Sequence, residues 1–88
     1  MPRRHHELRL PELGLTGVPV QLSMWLVERG ATVIEGDRLV EIVAGCVTVD
    51  LPSPANGTLW KIFVAEDDPL EIGQLLAIVE GEIDEDAA

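Results

Sequence analysis

The sequence predicts an all-β fold, a flattened sandwich or barrel of antiparallel strands. Short segments rich in Val, Ile, Leu and Thr recur about every 8–12 residues between turn residues, a spacing typical of all-β domains. No window supports a long helix, because Pro19 interrupts the start of the longest apolar stretch, residues 18–27. Only 3% of the residues are aromatic, so the core of this 88-residue chain must be aliphatic.

Six strands are predicted, each bounded by turn signals. They cover residues 8–10, 18–27, 39–43, 47–51, 58–64 and 75–79. Residues 52–57 form a rigid loop that ends in the turn dipeptide Asn56-Gly57. One domain is therefore predicted over residues 7–81, between a disordered N-terminus (1–6) and an acidic flexible tail (82–88).

An internal repeat relates the two halves of the chain. With a shift of 37 residues and no gaps, identical or similar residues align as follows: Leu22 with Leu59, Val27 with Val64, Gly36 with Gly73, Leu39 with Leu76, Trp25 with Ile62, Leu26 with Phe63, Val33 with Leu70 and Ile42 with Val79. Chance similarity is the alternative, since apolar patterns recur in any strand-rich chain. The aligned glycines favour a true repeat, in which equivalent turns need positive φ and the halves pack with quasi-two-fold symmetry.

The charge balance restricts the partners. Sixteen acidic residues against six basic ones give a net charge of −10, which disfavours nucleic acid and anionic membranes and suits docking to a basic patch on a protein. One cysteine allows no internal disulfide, and no apolar run approaches the ~20 residues of a membrane span. The basic first residues are not followed by the apolar stretch of a secretory signal. The cytoplasm is therefore the expected compartment.

Five segments in a fixed order carry a family resemblance. They are residues 10–14 (LPELG), 25–30 (WLVERG), 35–42 (EGDRLVEI), 48–57 (TVDLPSPANG) and 73–78 (GQLLAI). Across about residues 8–80 they resemble the lipoyl/biotinyl (biotin/lipoyl-attachment) family, most of all the lipoyl domains of dihydrolipoyl acyltransferases of 2-oxo acid dehydrogenase complexes. The resemblance implies a flattened barrel of two four-stranded antiparallel sheets. It also implies a carrier role, in which a tight turn presents a lysine-linked lipoyl or biotinyl group.

The sequence departs from that family at the turn itself. Where the resemblance implies an acidic residue, a small residue, Asp and then the modified Lys, this chain has Val43, Ala44, Gly45 and Cys46, followed by Val47. A thiol cannot give the amide that attaches either group, and the only lysine is Lys61, in a different predicted strand. Cys46 thus stands at the position equivalent to the attachment lysine, within the hairpin Ala44, Gly45 and Val47, and no cofactor is expected there.

Three other features have a functional and a structural interpretation. His5-His6 suggests a metal site, but adjacent histidines do not share one face of an element, so a solvated terminus is favoured. Glu66-Asp67-Asp68 suggests a cation site, but three consecutive acids rarely converge, so an acidic turn is favoured. Trp60 is either an anchor for a partner or a cover for the sandwich rim.

The preferred function from sequence is non-catalytic, since no nucleophile and base lie at a recognisable spacing. The chain is interpreted as a docking or structural module whose acidic surface a protein partner recognises. Two alternatives remain open. In one, Cys46 is a thiol-based carrier or redox point, although no basic residue in the hairpin would stabilise a thiolate. In the other, the chain is an assembly subunit of an acyltransferase or carboxylase complex.

Overall fold

The protein is built entirely from strands in the part of the chain that the structure describes. This computed structural model describes the backbone of residues 3–82 and the side chains of residues 4–81. The strands are β1 (Arg3–Arg9), β2 (Val20–Trp25), β3 (Thr32–Val33), β4 (Arg38–Ala44), β5 (Val47–Pro52), β6 (Gly57–Ile62) and β7 (Leu75–Glu82). No described residue is helical, so no described helix could cross a membrane. The predicted fold class is confirmed.

Two antiparallel sheets form the sandwich. One has four strands in the order β1-β7-β6-β3, and the other has three in the order β2-β4-β5. The prediction of two four-stranded sheets is therefore wrong for the second sheet. The missing strand is reduced to a bridge between Gln21 and Pro69, flanked by a hydrogen bond from Leu70 N to Val20 O of 2.8 Å. Proline has no N–H to donate, so the ladder does not extend through this segment.

The first strand begins earlier than predicted. Residues 3–6, expected to be disordered, belong to β1 and pair with β7 from Arg3 opposite Glu82 to His6 opposite Val79. The reason is that β7 lies beside this segment and pairs with it residue by residue, which the sequence of β1 alone does not reveal. Leu8 and Leu10 hold the strand in place with buried side chains. The predicted acidic tail lies outside the described residues, except for Glu82 at the end of β7.

The internal repeat is confirmed strand by strand. Under the 37-residue shift, β2 falls on β6 and β4 falls on β7. The hydrogen-bonded pairs β2–β4 and β6–β7 also have a bulge at the same place, which leaves Ser23 unpaired in β2 and Trp60 unpaired in β6. Gly36 and Gly73 have φ of 93° and 86°, as equivalent turns require.

Backbone hydrogen bonds follow the same symmetry. Three bonds recur in both halves with similar lengths: Leu26 N to Leu39 O (2.8 Å) with Phe63 N to Leu76 O (2.9 Å), Ala31 N to Glu28 O (3.0 Å) with Asp68 N to Ala65 O (3.1 Å), and Asp37 N to Ile34 O (2.9 Å) with Gln74 N to Glu71 O (3.0 Å). Each half therefore repeats the same turns as well as the same strands.

The core lies between the two sheets and is aliphatic, as predicted. Side chains from both sheets contribute to one buried cluster: Leu8, Leu10, Leu22, Val33, Leu39, Val40, Ile42, Leu51, Leu59, Val64, Leu70, Leu76, Ala77 and Val79. Trp25 is only half-buried, and its indole Nε1 donates to Val64 O at 3.0 Å. Leu22 and Leu59, which the internal repeat relates to each other, are both fully buried at 0% exposure, so the two halves contribute equivalent contacts to the core.

Because of this symmetry, Leu22→Ala and Leu59→Ala are expected to destabilise the domain by similar amounts, each about 2–3 kcal/mol in free energy of unfolding. Each substitution removes a fully buried side chain at the same point of the repeat. Urea unfolding followed by circular dichroism measures both. Met24→Ala is the control, since Met24 is 43% exposed and should cost little. Losses that differ by more than about 1.5 kcal/mol, well beyond the usual scatter, would show that the halves are not energetically equivalent.

Candidate functional site

The β4–β5 hairpin ends in a two-residue turn formed by Gly45 and Cys46. Ala44 pairs with Val47 directly below it. Gly45 has a φ of 63°, whereas Cys46 is not among the residues with positive φ. A two-residue turn with positive φ only at its first position corresponds to type II′, which favours glycine at that position. The turn therefore points the Cys46 side chain into solvent, where its thiol is free and exposed.

The loop before β2 braces this turn. Gly45 N donates to Pro19 O at 3.3 Å. A Cβ built on Gly45 would lie 2.8 Å from Val18 Cγ1, closer than carbon atoms normally approach. Glycine at position 45 is favoured by its φ, and any larger residue there would also have to displace the Val18 side chain. Gly45 was predicted from the sequence as a turn former, whereas its contact with Val18 is seen only in the structure.

The structure brings the four hairpin residues of the predicted site together. Ala44 is buried at 1% exposure and anchors the hairpin, whereas Gly45, Cys46 and Val47 are exposed. Their equivalence to the family's attachment turn stays a prediction. Lys61, the only lysine of the chain, lies on β6 in the other sheet and so outside this hairpin.

An acidic depression lies on the three-stranded sheet below the turn. It is lined by Leu26, Val27, Asp37, Arg38, Glu41 and Asp50. Glu41 and Asp50 are directly opposite each other in the β4–β5 register, and like charges in that relation repel. Arg38 Nη1 lies 3.3 Å from Asp50 Oδ2 and offsets part of this repulsion. None of these residues was predicted from the sequence as a site residue.

The outer face of the four-stranded sheet carries an aromatic stack. The rings of His5 and Trp60 are parallel within 1°, with centroids 4.3 Å apart, and His5 Nε2 lies 3.0 Å from Glu80 Oε2. Lys61 Nζ lies 4.6 Å from the centroid of the Trp60 ring. Trp60 therefore covers the sheet together with His5, which supports the structural interpretation of Trp60. His5 lies in β1 and stacks on a neighbouring ring, so the interpretation of His5-His6 as a solvated terminus does not hold for His5.

The remaining acidic candidate is a turn. Asp67 has a positive φ of 71°, and Asp68 Oδ2 accepts a hydrogen bond of 2.8 Å from Ala65 N. Asp68 thus stabilises the turn after β6 with its own side chain. Among residues 4–81, no group of three or more His, Cys, Asp or Glu side chains is placed to hold a metal ion.

Comparison with known proteins gives a family match over most of the chain. The biotin/lipoyl family described as "Biotin-requiring enzyme" matches residues 6–79. Similar curated proteins include the dihydrolipoyllysine-residue succinyltransferase component of the 2-oxoglutarate dehydrogenase complex from Bartonella vinsonii subsp. berkhoffii, which is 36% identical over 74 residues. That alignment covers 84% of this chain and 18% of the relative.

Two further relatives are also named as dihydrolipoyllysine-residue acyltransferase components. The dihydrolipoyllysine-residue acetyltransferase component of the pyruvate dehydrogenase complex from Corynebacterium glutamicum is 33% identical over 92% of this chain and 12% of its own length. The corresponding component of the acetoin cleaving system from Pseudomonas putida is 30% identical over 91% of this chain and 22% of its own length. This chain therefore spans less than a quarter of each of these relatives.

These matches correct the cofactor prediction. No cofactor was expected from the sequence, whereas the matched family carries lipoate or biotin covalently, and the relatives are named for a dihydrolipoyllysine residue. The hairpin turn does not fit amide attachment of either group, because Gly45 and Cys46 offer no amine.

The assignment rests on three agreeing observations. The fold is a sandwich of two antiparallel sheets, the family match extends over residues 6–79, and the relatives align with nearly the whole chain. The chain therefore belongs to the biotin/lipoyl-attachment domain family.

Proposed function

We propose that this chain is a non-catalytic docking module of an acyltransferase-type assembly, a lipoyl-like domain in which Cys46 occupies the family's attachment position. The observation that carries the proposal is the two-residue turn at the end of the β4–β5 hairpin. It projects one exposed side chain from a rigid scaffold, and that side chain is a thiol instead of an amine. The relatives, all named as components of acyltransferases, favour an acyltransferase assembly over a carboxylase.

Recognition by a partner is assigned to the acidic depression. Glu41 and Asp50 stand side by side on the outer face of the three-stranded sheet, with only Arg38 as a compensating charge in the lining. Two adjacent carboxylates that repel each other gain from a cation supplied by another protein. A basic patch on the partner is therefore the complementary surface. Because an exposed thiol stays reduced there, the cytoplasm is the compartment we propose.

Binding to the acyltransferase assembly of the native host tests this function. The 88-residue chain is expected to bind the purified assembly in a sedimentation assay, and the Glu41→Gln/Asp50→Asn variant to bind about tenfold more weakly, the equivalent of 1.4 kcal/mol. Glu28→Gln/Glu35→Gln is the matched control, because it removes the same charge from exposed turns outside the depression. Equal weakening by both double variants would mean that only the net charge of the chain matters for binding and that the depression is not the contact. No binding by the unchanged chain would refute the docking role.

A second candidate is a thiol-based carrier or redox protein. The observation in its favour is that the free thiol of Cys46 is exposed at the end of a projecting hairpin. Intact-mass measurement on protein isolated from the native host distinguishes the two functions. A mass adduct that maps to Cys46 supports the carrier, whereas an unmodified thiol that reacts with iodoacetamide at an ordinary rate supports the docking module.

A further inference from the structure

Two uncharged stretches of sequence meet at the hairpin end of the molecule. Residues 13–27 and 42–49 contain no Asp, Glu, Lys, Arg or His, in a chain of which a quarter is charged. They lie side by side because β2 pairs with the end of β4, from Val20 opposite Ala44 to Leu22 opposite Ile42. The bond from Gly45 N to Pro19 O extends the contact to the turn. Charge is thus segregated away from one end of the domain.

This end is also apolar and exposed. We call Val18, Pro19, Gly45, Cys46 and Val47 the uncharged tip. Four of its members are exposed, and Val47 has 46% of its surface in contact with solvent. Val18 is half-buried against Gly45.

An acidic collar borders the uncharged tip. Glu41 and Asp50 are the charged residues that end the uncharged stretch on β4 and β5. Asp67 and Asp68 lie beside β2, where Asp67 N donates to Leu22 O at 2.7 Å and Leu22 N donates to Asp68 O at 3.0 Å. These four residues are acidic, and Arg38 beside Asp50 offsets part of their charge. A surface complementary to the whole end of the molecule is therefore apolar at its centre and basic at its rim.

The tip is preorganised for such a contact. Its turn is fixed by the Val47–Ala44 pair, the bond to Pro19 O and the packing of Val18 on Gly45. Little conformational entropy is therefore lost when the tip is buried by a partner. A mobile loop of the same composition would lose more.

We propose that the uncharged tip inserts into an apolar recess of a partner protein, and that Lys or Arg side chains at the rim of the recess face the acidic collar. The inference rests on the proposed docking function and names the surface used. A second copy of this chain is a poorer occupant on two grounds. It would bring two acidic collars together, and end-to-end contact is limited by the cross-section of 24 × 17 Å. Such a contact buries less than the roughly 1,200 Å² of a stable interface, whereas a recess also encloses the sides of the hairpin.

The partner is identified by cross-linking from Cys46. Since Cys46 is the only cysteine, benzophenone maleimide labels the intact chain at the tip alone. Irradiation in extract of the native host, followed by peptide mapping, is expected to place the cross-link in an apolar segment flanked by Lys or Arg. Cross-links between copies of this chain, cross-links to acidic or exposed polar segments, or none above an iodoacetamide-blocked control would overturn the inference.

Affinity for the purified partner then tests the tip with unlabelled protein. Val47→Asp is expected to weaken binding about tenfold or more, because it places a charge in an apolar recess. Ile34→Asp is the matched control, since Ile34 is exposed (63%) in the turn at the other end of β4. Raising the salt from about 0.05 to 0.5 M is expected to weaken binding, because it screens the collar.

The failures of the two proposals are distinguishable. If the chain binds the acyltransferase assembly and Val47→Asp binds as well as the unchanged chain, the tip is not the contact and the docking function stands. If the cross-linked partner lies outside any acyltransferase assembly but depends on Val47, the tip inference stands and the proposed function fails. Equal weakening by Val47→Asp and Ile34→Asp would overturn the tip inference. Thermal unfolding of both variants checks that each is folded before binding is measured.

Discussion

The Cys46→Lys variant, produced together with a lipoyl ligase, is expected to acquire a lipoyl group on the introduced lysine. Residue 46 is exposed at the end of the β4–β5 hairpin, so a lysine there projects its amine into solvent as an acceptor. The chain belongs to the biotin/lipoyl-attachment family, and the resemblance implies that a tight turn presents the modified residue. Intact mass gives the extent of modification, and peptide mapping gives its position. Two controls accompany the variant. The unchanged chain measures any acylation of Lys61 on β6, and Cys46→Arg adds the same charge at position 46 without an amine that can accept the lipoyl group.

A folded Cys46→Lys variant whose amine stays bare would mean that the turn has diverged beyond what the ligase accepts. Gly45 gives a structural reason why restoring the family's Asp as well is not expected to help. Asp at position 45 would have to adopt a φ of 63° with its Cβ 2.8 Å from Val18 Cγ1. The Gly45→Asp/Cys46→Lys variant is therefore expected to be less stable than Cys46→Lys by about 1–2 kcal/mol in free energy of unfolding.

Gly57→Ala is expected to cause a loss of about 4 kcal/mol in free energy of unfolding, above the usual range for overpacking. A Cβ on Gly57 would overlap the carbonyl O of Glu80 and would lie 2.9 Å from Gly81 Cα. These are backbone atoms of β7, so relief requires a strand to move and not a side chain to rotate. On the facing strand β7, a Cβ on Gly81 would in turn lie 2.5 Å from Asn56 O. Urea unfolding measures the loss.

Gly36→Ala is the control for the Gly57 prediction. Gly36 has a φ of 93° but open space around its Cβ position, so its substitution carries only the conformational cost of about 1 kcal/mol. A loss at Gly57 no larger than at Gly36 would show that β6 and β7 separate easily at this point. Their close approach would then contribute little to stability.

The sequence predicts the scaffold well where local pattern and packing agree. β4, β5 and β7 follow the predicted β-branched segments, because their alternating apolar residues all face one core. The errors fall where pairing depends on a distant partner. The polar start of β1 is a strand because β7 lies beside it, and β3 has only two residues, Thr32 and Val33, too few to leave a pattern.

The candidate site was predictable in identity but not in geometry. The resemblance locates Gly45 and Cys46, yet the brace from Val18 depends on how the loop before β2 folds back. The stack of His5 on Trp60 joins residues far apart in sequence and leaves no local signal. The pairing of Glu41 with Asp50, in contrast, could have been predicted from the sequence, because both residues lie the same number of positions from the two-residue turn.

The quasi-two-fold symmetry has a consequence for how the chain can be connected. Gly81 opposite Arg4 is the repeat equivalent of Ala44 opposite Val47, so the ends of β7 and β1 lie together where the other half has its hairpin turn. A circular permutant that joins these strand ends by a short Gly-containing turn and opens the chain between Gly45 and Cys46 should retain both sheets. The same geometry means that any polypeptide fused at Arg3 or Glu82 leaves the domain from this pseudo-equivalent position, and both fusions would depart from neighbouring points.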